Sequence, residues 1–445
     1  MINIRRIINK RKNLLISFLV IGIIFLGILL RRNNYYNVPR HGATFDEFAW
    51  TWLGINLINS GTPVSWSPHP LYKNREHLKY QGANFFIVKP YLEHPPLFGL
   101  VAGGFAKLRG VESMYEVTLP KIRPLGLLMG ISSILAIFLL IKSLYGIRVS
   151  MLTTLLYSTI PTVVIGSRLV QNENFLIPLW LFGLIFLQKY ITTKKRIYRN
   201  LSILIVSLLP LAKVPWIAAG FSVFLILTYH KKWKDAFYTV LCTSIFFSLF
   251  LTYGIVLDKE LFFALWGLQL SRYDIAFDGL FSLFTKPLLV DWYYLDGWIY
   301  FGWFAVFYLF QNLKKHIFII LPFMAYLLMY VFAIPDEPGH GWYRYPLYPF
   351  LIAATGIFID QQLRKTTFAI ILFFYLTGFS LLQNVWHTFF GFSYNIYRGF
   401  ILFTALPVFT SLWFRGFEKC LRYFIYFMLG TLILLNILAI NTVNT

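Results

Sequence analysis

The sequence predicts an all-α polytopic membrane protein of about 13 transmembrane helices (11–14), and three observations carry that prediction. Of 445 residues, 58% are hydrophobic and only 13% are charged, about half the charged fraction of a soluble protein. Apolar runs of bilayer length recur from end to end. The 40 Lys and Arg residues outnumber the 18 Asp and Glu, for a net charge of +22. They fall in short clusters between the apolar runs, where basic residues hold loops on the cytoplasmic side. In a soluble chain the same charge would point to nucleic acid; this placement argues for a lipid bilayer as partner and no nucleic acid. The runs do not alternate as barrel strands do, which sets a porin-like fold aside.

Candidate spans lie near 13–30, 122–141, 148–166, 174–190, 200–212, 213–229, 236–256, 297–312, 316–334, 345–361, 366–384, 399–414 and 421–440. The N-terminal "MINIRRIINKRKNLLISFLVIGIIFLGILL" has the outline of a signal sequence. Its apolar stretch is too long for one and no small-residue cleavage site follows, so it reads as a retained first span. Cys242 and Cys420 lie in or beside spans, leaving no disulfide framework or paired metal site. The whole chain, 1–445, reads as one transmembrane domain.

Residues 95–108, "PPLFGLVAGGFAKL", are apolar but short. Parity decides their place. If they do not cross and the N-terminus is cytoplasmic, every short basic cluster falls inside: Lys194, Lys195, Arg196 and Arg199; Lys231, Lys232 and Lys234; Lys314 and Lys315; Arg364 and Lys365; Arg415, Lys419 and Arg422. The stretch is therefore expected to lie in the outer interface. The same topology places every acid except Asp235, Asp360 and Glu418 outside. Two long outer segments result, 31–121 and 257–296, with shorter ones at 335–344 and 385–398. Chemistry is expected on that extracytoplasmic face, because long loops in compact proteins are usually functional.

Four stretches there carry reactive side chains. In "FDEFAW", Asp46 and Glu47 stand side by side among aromatics. Desolvation and a neighbouring like charge both raise a carboxyl pKa and make a better general base; the alternative is a solvated loop pair. In "YLEHPPLFGL", Pro95 and Pro96 start a helix and fix Glu93 and His94 at the interface. That pair could hold a phosphate, relay a proton or ligate a metal, or merely flank a helix start. "SRLVQNENFLIPLW" places Arg168 and Glu173 at the outer end of the fourth span, and "LAKVPW" places Lys213 beside Pro215. Ionisable groups at that depth are costly and serve either function or a structural ion pair. "PDEPGHGWYRYPLYP" packs His340, Tyr343, Arg344 and Tyr345 between prolines and glycines. A guanidinium there suits a phosphate, while an aromatic belt with a snorkelling arginine is the structural reading. No P-loop, HExxH, GxSxG or paired CxxC occurs, so ATP-driven transport and zinc proteolysis have no support.

Taken in order, these pieces resemble the GT-C membrane glycosyltransferases, in the branch of the protein O-mannosyltransferases and the lipid A aminoarabinose transferase. The matching elements are the acidic pair Asp46-Glu47; Glu93-His94 before Pro95-Pro96, with His94 where a lysine is usual; Arg123 in "KIRPLG"; Arg168 with Glu173 five residues on; Lys213 in "AKVP"; and Arg344-Tyr345 before prolines. The resemblance runs from residue 46 to 345. It implies a cell-envelope enzyme moving a sugar, with inversion, from a polyprenyl-phosphate-linked donor to a protein, lipid or glycan acceptor. Asp46 and Glu47 would be catalytic, with Asp46 as base. Arg344, His94, Lys213 and Arg123 would bind the donor phosphate. Glu93, Glu173, Arg168, His340 and Tyr345 would orient acceptor or sugar. No cofactor is required; a divalent metal on Glu93, His94 or His340 is admissible. The alternatives are a transporter or flippase, which would show paired repeats and a midplane site, and a polysaccharide polymerase or ligase on a different fold.

Overall fold

The computed structural model describes residues 2–40, 42, 44–271, 277–285, 289–290, 296–333, 340–378, 387 and 390–442. Among them are eighteen α-helices: α1 (Ile2–Arg32), α2 (Asp46–Ser60), α3 (Leu97–Leu108), α4 (Leu119–Tyr145), α5 (Ile147–Thr159), α6 (Pro161–Gly166), α7 (Asn172–Thr193), α8 (Arg196–Leu208), α9 (Ile217–Tyr229), α10 (Trp233–Ser271), α11 (Phe277–Thr285), α12 (Gly297–Leu309), α13 (Leu313–Ala333), α14 (Tyr348–Arg364), α15 (Ala369–Gly378), α16 (Tyr394–Phe403), α17 (Ala405–Trp413) and α18 (Glu418–Thr442). Within the described residues the expected spans overlap helices, the 366–384 stretch being described only as far as Gly378. Six helical stretches are both long and apolar enough to cross a bilayer on length and composition, Gly297–Phe332 counted as one. The rest are shorter or interrupted. The expected span at 148–166, for example, is α5 and α6 broken at Ile160-Pro161, because proline cannot continue the hydrogen-bond ladder.

The first outer segment holds more than the expected interfacial helix. Ser65–Trp66 (β1), Arg75–Tyr80 (β2) and Ala83–Val88 (β3) form an antiparallel sheet in the order β1-β3-β2. Tyr80 pairs with Ala83 across a two-residue turn. Gln81 and Gly82 both take positive φ there, 46° and 81°, as a tight hairpin with the strands' twist demands. Phe85 of β3 packs edge-on against Trp52 and Phe45, which seats the sheet on α2.

Helix α3 has 12 residues, about 18 Å of helix and too short to cross alone. It lies on α2 at the closest approach glycine permits: a side chain on Gly54 would overlap the Gly99 carbonyl. If α3 stays in the interface, cysteines replacing the exposed Lys89 and Arg109 on its two sides will both react with an impermeant maleimide added from one face of sealed vesicles. Reaction of only one from that face would show that the segment crosses.

Helix α10 runs on into the expected outer segment 257–296. The backbone leaves helical geometry at Asp258, whose carboxylate accepts the Leu261 amide at 3.0 Å and so starts a new helical turn. Phe250 and Trp266 have ring centroids 5.5 Å apart. A straight helix would hold residues at that spacing about 24 Å apart. The chain therefore doubles back, and Phe262 and Leu265 of the returning arm pack with Leu53, Tyr72, Val88, Tyr91 and Leu92 of the first outer segment. The parts of the expected outer segments at 272–276, 286–288, 291–295, 334–339, 379–386 and 388–389 lie outside the described residues.

Candidate active site

Asp46 and Glu47 open α2, where the helix dipole favours negative charge. Consecutive helical residues point about 100° apart, and the two carboxylates part company. Glu47 turns inward and is fully buried. It accepts from Arg123 Nε at 3.2 Å and Nη2 at 2.9 Å, and from the Val170 amide at 2.9 Å. Arg123 gives its remaining reach to the Tyr35 and Pro39 carbonyls. Glu47 and Arg123, expected as a catalytic carboxylate and a phosphate ligand, thus pair with each other in the structure. They are a buried ion pair joining α2 to α4. Breaking such a pair strands the partner charge, so Arg123→Gln is expected to cost about 3–5 kcal/mol, read as a lowered unfolding midpoint in detergent. An unchanged midpoint would remove the pair from the scaffold.

Asp46 stays half-buried. Its own amide donates to Thr44 Oγ1 at 3.2 Å. Gln171, at the start of α7, donates Nε2 to the same hydroxyl at 3.1 Å and accepts Trp50 Nε1 at 3.2 Å. Burial raises the Asp46 pKa above the ordinary carboxylate value. The charges of His340 and Lys213 and the Gln171 side chain oppose that rise, and the Glu47 charge adds to it.

Facing Asp46 is a second ion pair. Lys213 Nζ lies 2.8 Å from Glu173 Oε1 and 4.4 Å from the centre of the Tyr343 ring. The other oxygen, Glu173 Oε2, is buried with no hydrogen-bond partner. The turn carrying Lys213 is clamped to α7 by Asn172, which donates to the Ala212 carbonyl and accepts Trp216 Nε1, both at 2.8 Å. Tyr343 arrives on a 3-10 turn, Gly341–Leu347. His340, just before it, stacks on Trp342 with centroids 4.0 Å apart. Arg344 is buried and donates to the Ser282 carbonyl of α11.

Lys213 and His340 stand near enough to Asp46 for their charges to act on it, and Glu173 and Tyr343 lie against Lys213. His94 packs at a 43° tilt against Trp50, ring centroids 5.0 Å apart, and Trp50 lies one helical turn from Asp46. The structure gives three other expected site residues the following contacts. Glu93 lies 3.3 Å from His69 and near Tyr72, whose phenol burial and that charge keep protonated. Arg168 directs Nη1 and Nη2 at the Val38 and Leu30 carbonyls. Tyr345 lays its ring on Gly166 and accepts the Val290 amide. Glu93, His94 and His340 do not converge as a donor set, and among the described residues no three His, Cys, Asp or Glu side chains group as a metal site.

Residues 93–255 match the family described as dolichyl-phosphate-mannose-protein mannosyltransferase. The fold is that of ArnT from Cupriavidus metallidurans. Its apo structure aligns at a TM-score of 0.55 and 14% identity over 98% of this chain and 78% of that one. The structure of ArnT bound to undecaprenyl phosphate aligns at 0.55 and 15% over 96% and 77%. The family match thus covers residues 93–255, and the likeness to ArnT is one of fold. No curated protein matches this chain by sequence. The match spans Glu93 to α10, so it holds Arg123, Arg168, Glu173 and Lys213 but neither Asp46 nor Arg344.

Sequence reasoning missed Gln171, which shares the Thr44 hydroxyl with the Asp46 amide. Its signal was present: "QNEN", residues 171–174, is a fully polar run at the head of an apolar span. His69 and Tyr72 left no such signal, because the fold-back of α10 is what encloses them.

Proposed function

We propose that this enzyme transfers a sugar from a polyprenyl-phosphate donor to an acceptor hydroxyl or amine on the extracytoplasmic face, with inversion, the N-terminus being cytoplasmic. The observation that carries the reading is the half-buried Asp46 facing the Lys213–Glu173 pair. Asp46 takes the acceptor proton as the nucleophile attacks the anomeric carbon from the face opposite the phosphate. That bond forms as the sugar–phosphate bond breaks, and the electron pair leaves on the phosphate. A cation must meet that charge where it develops. Lys213 stands in the pocket, and Arg344 follows directly on Tyr343, whose ring packs on Lys213. Glu173 Oε2, buried without a partner, is placed to accept from a sugar or acceptor hydroxyl, and His340 or His94 completes the rim. Support for the lipid donor comes from the matched family's dolichyl-phosphate-mannose chemistry and from undecaprenyl phosphate bound to ArnT. The acceptor class stays open to protein, lipid or glycan. The deciding experiment incubates purified protein with a radiolabelled polyprenyl-phosphate sugar and follows release of the lipid phosphate. No release with any acceptor class, from folded protein, would overturn the reading.

Gln171 sets the base. Its side chain favours the ionised carboxylate, so removing it raises the Asp46 pKa further. Because the ionised form is the active one, kcat/KM falls as pH drops through that pKa. Gln171→Leu should shift the acid limb of the profile to higher pH, with a smaller loss at alkaline pH. A profile that keeps its shape while falling uniformly would mean that Gln171 supports packing alone.

A further inference from the structure

Three arginines are buried together at the end of the bundle that carries Asp46: Arg31, Arg123 and Arg168. Arg31 and Arg123 stand near enough to Arg168 to repel its charge. Arg123 has Glu47. Arg31 has only neutral partners, the Gly27 and Tyr157 carbonyls and the face of the Tyr157 ring. Arg168 has two carbonyls, and its Nε is buried with no hydrogen-bond partner. Among the described residues no carboxylate pairs with Arg31 or Arg168. Two buried guanidiniums without a counter-charge are costly, and charges retained at that cost in membrane proteins usually meet a ligand.

Arg168 also lines a cavity of about 390 Å³ with Asn33, Asn34, Tyr36, Val38, Ile440 and Asn441. Its polar wall consists of amides and a phenol, all neutral, so the cavity supplies hydrogen bonds without neutralising the arginine. It opens where α1 and α18 end, tied by Asn33 Nδ2 donating to Asn441 Oδ1 at 2.5 Å. Both helices present apolar side chains outward, Phe25 and Leu29 on α1 and Leu434 on α18. The mouth therefore sits where lipid-facing helices stop, at headgroup depth.

We propose that this cavity is a phosphate-binding site separate from the Asp46 pocket, with Arg168 as its charged ligand and the asparagine amides as additional donors. The phosphate comes either from an anionic phospholipid headgroup or from free phosphate. The proposal goes beyond the transfer reaction and does not rest on it.

The test uses the full chain, purified and stripped of lipid in a non-ionic detergent. Phosphatidylglycerol, phosphatidylcholine or inorganic phosphate is added, and bound lipid is counted by native mass spectrometry while thermal unfolding is followed. One phosphatidylglycerol per chain should be retained at roughly tenfold lower concentration than phosphatidylcholine, whose choline the same arginines repel, and it should raise the unfolding midpoint. Arg168→Gln should abolish that preference. If Arg168→Gln does not fold, Asn441→Leu carries the test, since it alters the mouth of the cavity at the last turn of α18 and should weaken retention. Stabilisation by phosphatidylglycerol alone assigns the site to a lipid headgroup; stabilisation by inorganic phosphate as well assigns it to the phosphate group itself. No preference in the wild type, or a preference that survives in the folded variants, overturns the proposal.

Discussion

Asp46→Asn is expected to remove sugar transfer, lowering turnover by roughly 10²–10⁴-fold, the usual contribution of a positioned general base. The amide matches the carboxylate in size and can keep the Thr44 and Gln171 contacts around it, but it cannot take a proton. Folding should be untouched, because Asp46 is not part of the buried scaffold pair; that role belongs to Glu47 and Arg123. The measurement is release of lipid phosphate per folded molecule, with folding checked by the unfolding midpoint. Near-normal turnover in the Asp46→Asn protein would sink the base assignment. Glu47→Gln separates the two neighbours: it should lower the midpoint first, and turnover only in proportion to the protein that remains folded.

The second large effect is expected at Arg344. If its guanidinium meets the donor phosphate, the interaction strengthens as charge collects on the leaving oxygen, and its loss lowers turnover as well as affinity. Removing one preorganised donor of this type costs on the order of 3 kcal/mol, about a hundredfold or more. Arg344→Lys should recover only part, since an ammonium keeps the charge and loses the fork. In the structure the guanidinium is buried and donates to the Ser282 carbonyl, which makes a purely structural role the rival. That rival expects Arg344→Ala to unfold at lower temperature while turnover per folded molecule holds. Donor binding and turnover measured on both variants separate the two, and unchanged values in both would take Arg344 out of the site.

Most of the membrane architecture was legible in the residues because hydropathy is a local property. Each apolar run reports its own fate, and within the described residues the expected spans fall on helices. The exceptions are local too. Asp258 begins a helix where a loop was expected, because one short acidic side chain caps the returning arm of α10. The hairpin at Gln81-Gly82 went unread because its strands carry charge on the exposed face and lack the alternation of a buried strand.

What the sequence by itself determined is the class of the protein and the roster of its reactive groups: a polytopic helical chain with Asp46, Glu173, Lys213 and His340 at one end of the bundle. Which of those groups meet was decided by the tertiary structure alone. Glu47 and Arg123 are 76 residues apart, and Glu173 and Lys213 are 40 apart. A pairing across that distance depends on how helices pack, and nothing in either local stretch encodes it. The division of labour between Asp46 and Glu47 has the same origin. Neighbours on a helix diverge by about 100°, so one carboxylate must face the core and the other the pocket. The packing of α2 on α3, with Glu47 held by Arg123 of α4 and the Val170 amide, sets that phase and with it which acid is buried as scaffold.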